Sequence, residues 1–134
     1  MAAAAKSPAL KQAFETHLRE TERQLGRLEE AFSAMGLSPQ ASTCQAMKGL
    51  IAEGQEAIDA SGDPEVKDAA LIAAAQRVEH YEIAGYGCAR TFAQHLNRND
   101  VVNLLQETLD EETATDQKLT ALAERSINPQ AQQA

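Results

Sequence analysis

Hydrophobic positions along this chain recur every three or four residues, the spacing of one helical face, and no stretch alternates as a half-buried strand would. Leu10, Phe14, Leu18, Leu25, Leu28 and Phe32 make the first stripe, with His17 and Thr21 set into it. Ser7 before Pro8 is a helix start, because proline at the first helical position gives up a backbone N–H that has no partner there anyway. Gly36, with Leu37 and Pro39 behind it, is a stop. A helix over about residues 8–35 follows, roughly 42 Å long at about 1.5 Å per residue, which is bundle length.

Ser42 with Gln45 predicts a capping box and a second, shorter helix over about residues 43–60. Gly49 and Gly54 weaken it, and Met47, Leu50, Ile51 and Ile58 give it a modest apolar face. Gly62, Asp63 and Pro64 form the sharpest boundary: stop, cap and first turn of a third helix over about 64–96. Apolar residues spread around much of its circumference, which predicts a central, mostly buried helix. The turn Asn97 to Asp100 leads into a fourth helix over about 100–126. Its stripe is Val101, Leu104, Leu105, Thr108, Glu112, Thr115, Leu119 and Leu122. Asn128-Pro129 predicts its end, with residues 127–134 as a frayed tail.

These elements make an all-α protein of one domain spanning 1–134. Composition agrees, since alanine, the best helix former, supplies much of the apolar share, whereas strand formers are scarce. A net charge of −8, from 20 acidic against 12 basic residues, argues against nucleic acid and against an anionic membrane surface as partners. No apolar run approaches the roughly 20 residues of a membrane span, and the first residues lack the character of a secretory signal. Two cysteines are too few for a disulfide framework, so the expected setting is the reducing cytoplasm. Cys44 and Cys88 are both read as small buried hydrophobes.

Acids stand where apolar residues belong. At about 100° per residue, Glu112 falls at the centre of the fourth helix's apolar face, with Asp116 at its edge and Thr108 and Thr115 beside it. An unpaired buried carboxylate costs several kcal/mol, so such a group ends up protonated, paired or bound to a metal. On the first helix His17 lies in the stripe, with Glu20 three residues on. On the third, Glu82 faces the apolar side, with Glu79 three residues before it. Three helices can therefore each aim two ligands into one interior, the way bundles build dinuclear carboxylate sites. The spacing Glu15-Thr16…Glu20-Thr21 repeats in Glu107-Thr108…Glu112-Thr113, making Glu20 the counterpart of Glu112. A competing reading makes Glu79 to Glu82 a surface face paired with Arg77 and Arg90, and His17 an ordinary core histidine. His80 and His95 read as surface residues, and Tyr86 as packing or as a hydrogen-bonding neighbour of the acids.

Ser7-Pro8-Ala9-Leu10-Lys11, His17-Leu18-Arg19-Glu20-Thr21, Gly62-Asp63-Pro64-Glu65-Val66, Arg77-Val78-Glu79-His80-Tyr81-Glu82-Ile83-Ala84 and Leu105-Gln106-Glu107-Thr108-Leu109 together resemble the YciE/YciF-like family of ferritin-like proteins. The resemblance covers about residues 6–125. It implies an antiparallel helical bundle, three long helices plus a shorter crossover helix, with a dinuclear Fe or Mn site in a homodimer associated with bacterial stress responses. Carried over by position, the metal-facing residues are His17, Glu20, Glu79, Glu82 and Glu112, with Asp116 as a further one. Relatives usually begin with one more long, acid-bearing helix. Its lack here implies a truncated sequence, a carboxylate supplied by a partner subunit, or an incomplete site. A wide apolar face left bare would drive self-association. Two function classes follow: a dimetal protein for oxygen, peroxide or iron handling, and a non-catalytic oligomeric helical protein whose acids are structural.

Overall fold

The computed structural model describes all residues 1–134. A short 3-10 turn, Ala2–Ala4, precedes α1 (Pro8–Ala34), α2 (Gln45–Asp59), α3 (Pro64–His95) and α4 (Asn99–Leu122). A π-helical turn, Ala123–Ile127, then joins α4 to α5 (Asn128–Ala131). There is no strand, and the fold is an all-α bundle.

Local chemistry accounts for most of the ends. The Ser7 hydroxyl accepts the Leu10 N–H and Pro8 opens α1. Gly36 closes it at φ 69°, where an L side chain would be strained, and Leu37 N–H returns to the Phe32 carbonyl at 2.9 Å. Asp63 caps α3 through the Glu65 N–H at 2.8 Å. At the far end of α3 the left-handed position is filled by Asn97 at φ 56°, and Arg98 N–H closes on the Ala93 carbonyl.

Two ends differ from expectation. The start of α2 is capped by the Cys44 sulfur, which accepts the Met47 N–H at 3.4 Å, and not by Ser42. Gln45 is the first helical residue, too early for the reciprocal contact of a capping box. Nor does the chain stop at Asn128-Pro129. It passes through the wide π turn, and Pro129 falls in the first turn of α5, directly behind the turn that accommodates its missing N–H. The reason is Ile127, which is 1% exposed and joins the core. Burying such a side chain contributes about 1.5–3 kcal/mol.

α4 packs between α1 and α3, and α2 packs on α3, while the π turn and α5 continue α4 along α3. The apolar core is divided. Leu10, Ala13, Phe14, Leu71, Ile72, Ala75, Leu119 and Ile127 fill one end of the bundle. Ala31, Ala93, Val101 and Leu105 fill the other. Between them lies a buried polar layer: Gln24, Glu79, Thr108, Glu112 and Thr115. The α4 stripe is buried as its periodicity predicts. On α1, by contrast, Leu18 and Leu25 are exposed, and Gln24 is buried against α4. α3 is less enclosed than its all-round apolarity implies, with Tyr81 and Phe92 at the surface.

Cys44 and Cys88 correct a further expectation, for both are exposed free thiols. Cys44 caps a helix and bonds the Tyr81 hydroxyl at 3.0 Å, and Cys88 lies on the exposed face of α3.

One buried acid outside the polar layer belongs to the fold. Asp68, 2% exposed, accepts the backbone N–H groups of Lys6 at 2.8 Å and Ser7 at 2.7 Å, fastening the entry to α1 onto α3. Two charge-assisted bonds vanish in Asp68→Ala, and two part-buried N–H groups lose their partner. The expected loss is about 2–4 kcal/mol in urea denaturation. A loss below about 0.5 kcal/mol would mean that the segment before α1 does not depend on this clasp.

Candidate metal centre

The polar layer is built by register. His17 comes from α1, Glu79 and Glu82 from α3, one turn apart, and Glu112 from α4. One ligand atom of each lies within 4.8 Å of those of the other three. His17 Nε2 is 3.2 Å from Glu79 Oε1 and 3.7 Å from Glu112 Oε2. Its other nitrogen, Nδ1, lies 3.2 Å from the Thr115 hydroxyl and 3.6 Å from Glu20 Oε2.

Burial makes this cluster unusual. Glu112 is fully buried and Glu79 nearly so, yet no N–H or hydroxyl group of the fold donates to either oxygen of Glu112 or to Oε2 of Glu79. Buried polar atoms are almost always satisfied. Burial pushes the Glu112 carboxyl up to about 8; a hydrogen bond that its protonated form gives to Glu79, and the charges of Glu79 and Glu82, push the same way against the opposing pull of His17. Burial also raises Glu82, with Glu79 adding to it and His17 resisting. For His17 burial disfavours the cation, but Glu79, Glu112 and Glu20 together outweigh it and hold the imidazole up at about 9. Tyr86 is raised to about 12, first by burial, then by the charges of Glu82 and Glu112. The structure thus places Tyr86 beside the acids.

Glu20 and Asp116 stand outside this group. Glu20 sits at the rim, on the far edge of the His17 ring, so the matching spacing on α1 and α4 does not produce equivalent positions. Asp116 is turned aside to a neighbouring face of α3, where it accepts from Gln76 Nε2 at 2.9 Å and faces the exposed His80 at 3.2 Å. The proposed surface pairing of Glu79 with Arg77 or Arg90 is absent. Arg77 faces Glu53 at 3.9 Å, and Arg90 donates to Gln106.

Beyond the cluster lies a second polar group whose pairing across two helices was not read from the sequence. Arg27 on α1 forks onto Glu111 of α4, with Nη1 to Oε2 at 2.7 Å and Nη2 to Oε1 at 2.8 Å, and also reaches Glu107 at 2.6 Å. Gln24 donates to the same Glu111 carboxylate at 3.2 Å. The guanidinium, with Gln24 assisting, lowers Glu111 to about 2 against its partial burial. The spacing Gln24/Arg27 on α1 opposite Glu107/Glu111 on α4 could have signalled this clamp. It locks the two helices beside the cluster.

A cavity of about 350 Å³ opens onto the ligands between α1 and α3. His17, Glu79 and Glu82 meet it, its walls include Phe14, Val78 and Leu119, and α2 contributes Met47 and Ile51.

Long helices packed around a central layer of three carboxylates and an imidazole define the class: a ferritin-like helical bundle. The chain belongs to the family described as a domain of unknown function (DUF892), whose model matches residues 1–132. It is 47% identical over 133 residues to Protein YciF of Escherichia coli (strain K12), covering 98% of this chain and 80% of that protein. The crystal structure of the E. coli stress protein YciF superposes with a TM-score of 0.90 at 48% identity, covering 95% of this chain and 80% of the other. YcfI of Rhodopseudomonas palustris matches with a TM-score of 0.86 at 40% identity, covering 89% and 76%. No helix of the chain is long and apolar enough to cross a membrane.

Proposed function

We propose that this chain holds two divalent iron or manganese ions between α1, α3 and α4, with His17, Glu79, Glu82 and Glu112 as the protein ligands, and that it handles oxygen, peroxide or iron in a stress response. The observation that carries the reading is the set of three buried carboxylate oxygens with no partner. Left unpaired, each such group is costly, and a cation placed among them removes that cost. The donor set fits: hard carboxylate oxygens with one imidazole suit Fe or Mn. Three carboxylates leave one negative charge beside a single divalent ion, which leaves the cluster attractive to a second.

Bound there, such ions supply redox chemistry toward dioxygen or peroxide. The protein's share is holding, orienting and excluding water. Glu79 and Glu82, one turn apart on a rigid helix, present two carboxylates to one side, and Glu112 closes the set from α4. The Arg27–Glu111 clamp keeps α1 in register with α4, so the imidazole stays opposite the acids. Phe14, Val78 and Leu119 line the approach with apolar surface. The stress setting is taken from the description of the E. coli relative as a stress protein. Exposed free thiols at Cys44 and Cys88 fit a reducing cytoplasm. Exposed Leu18, Leu25, Ile51 and Phe92 fit a homo-oligomer, with a dimer as the expected state in light scattering.

A second reading has its own observation. The His17–Glu79 pair at 3.2 Å, with Glu112 held protonated, would neutralise most of the cluster without any metal and leave a structural helical protein. Anaerobic titration with Fe(II) or Mn(II) and elemental analysis separates the two. The dimetal reading expects close to two ions per chain, lost in Glu79→Gln and retained in Asp116→Asn, because Asp116 faces away from the cluster. No uptake after reconstitution would leave the structural reading standing.

A further inference from the structure

His17 turns its two ring nitrogens toward different surroundings, and only Nε2 meets the acids of the cluster. On the other edge Nδ1 lies 3.2 Å from Thr115 Oγ1. We propose that Thr115 is a positioning residue: its hydroxyl oxygen accepts the Nδ1–H of His17 and so holds the ring with Nε2 turned inward, free to bind a divalent cation. The purpose of this arrangement rests on the metal reading above, whereas its geometry does not.

Thr115 is suited to the task by its place and its shape. It is 9% exposed, on the face of α4 that carries Glu112 three residues earlier. The same helix therefore delivers a carboxylate to the cluster and the group that aims the imidazole of α1 at it. Threonine has two first-torsion rotamers open to it in a helix, so few orientations compete with the one in which its hydroxyl meets the ring. Glu20 is a poorer holder. It is partly exposed, it has more torsions to order, and at 3.6 Å from Nδ1 it lies beyond hydrogen-bond reach. It acts on the ring through its charge.

A neutral acceptor has a further consequence. Were Nδ1 held by a buried carboxylate, another negative charge would join a site that already contains three. A hydroxyl sets the ring's orientation and leaves the charge balance to the ligands. Outer partners of this kind commonly change metal affinity about 10- to 100-fold when removed.

Substitution separates positioning from packing. Thr115→Val removes the acceptor at similar volume, Thr115→Ser keeps it, and Thr115→Ala replaces the valine variant should that fail to fold. Two measurements on the full chain apply to each: Mn(II) affinity, and the ¹⁵N–¹H spectrum of the His17 ring in metal-free protein. The unsubstituted chain and Thr115→Ser should show a solvent-protected Nδ1–H resonance and bind Mn(II) within about threefold of each other. Thr115→Val should lose the resonance and bind about 10- to 100-fold more weakly. Retention of both properties in Thr115→Val overturns the proposal, as does failure of serine to rescue them, which would mark a packing role. If the unsubstituted chain takes up no Mn(II) while the resonance still depends on the hydroxyl, the dimetal reading fails and the aiming of the ring survives. If uptake is normal and the resonance is indifferent to the hydroxyl, the reverse holds.

Discussion

Replacing Glu112 with leucine should stabilise the metal-free chain by about 1–3 kcal/mol and lower its Mn(II) affinity on the order of 100-fold or more. The two effects share one cause. Glu112 is 0% exposed, and no N–H or hydroxyl group of the fold donates to either of its oxygens. In the metal-free fold it is a desolvated carboxyl set among Glu79 and Glu82 and kept protonated by burial. Leucine fills a similar volume between the two apolar ends of the core and has nothing to satisfy. His17 keeps its shorter contact, to Glu79, so the substitution strands no cation. Urea denaturation with and without Mn(II) gives both numbers. The unsubstituted chain should gain stability from the ion and Glu112→Leu should gain almost none. A leucine variant less stable than its parent by more than about 1 kcal/mol would show that Glu112 is held by something other than a metal, and the centre would have to be abandoned.

The second large effect is in protons. At neutral pH the metal-free cluster retains a proton on Glu112, raised to about 8, and one on His17, raised to about 9. Ligation by Glu112 and by His17 Nε2 requires both to leave, so metal uptake should release about two protons at pH 7. Apparent affinity should rise steeply as pH increases toward 9 and flatten beyond it. Stability of the metal-free chain runs the other way. For each group the folded state binds its proton more tightly than the unfolded state does, so the folded state carries the excess protons. The Glu112 contribution falls as pH rises from about 4.5 toward 8, and that of His17 as pH rises from about 6.5 through 9. Calorimetry in buffers of different ionisation enthalpy counts the protons. Uptake without proton release, or affinity indifferent to pH between 6 and 9, would place the metal elsewhere.

The elements themselves were largely legible in the chain, because their signals are local. Pro8, Gly36, Asp63 and Pro64 act within one helical turn, and the α4 stripe from Val101 to Leu119 is a matter of angle along one axis. Glu112 announced itself the same way, as an acid at the centre of an apolar face. The departures come where a neighbour decided. Gln24 is buried and Leu25 exposed, because Glu111 of α4 accepts the Gln24 amide while no other helix covers the Leu25 side of α1. Ile127 drew the chain past Asn128-Pro129 through a π turn, since the core of Leu10 and Leu71 lies there to receive it. Cys44 and Cys88, read as buried from residue type, lie at the surface: Cys44 is the exposed cap that opens α2, and Cys88 falls in the second half of α3, where fewer residues are buried.

The same division runs through the candidate centre. Periodicity and composition were enough to establish helices, a bundle and an acid-bearing interior, for each depends on residues three or four apart on one helix. Which acids meet depends on the rotation of each helix about its axis and on its slide against its neighbours, and neither quantity is written in any single helix. Hence Glu20 and Asp116, one turn from His17 and Glu112, point to the rim and to Gln76 and His80 on a neighbouring face of α3, although their spacing qualified them equally. Packing of α1 and α3 against α4 supplied what spacing could not: Glu79 brought to His17 across more than sixty positions of chain, and the Thr115 hydroxyl brought to the ring's other edge. Convergence of this kind is a property of three axes at once, set by how the two apolar ends of the core fill.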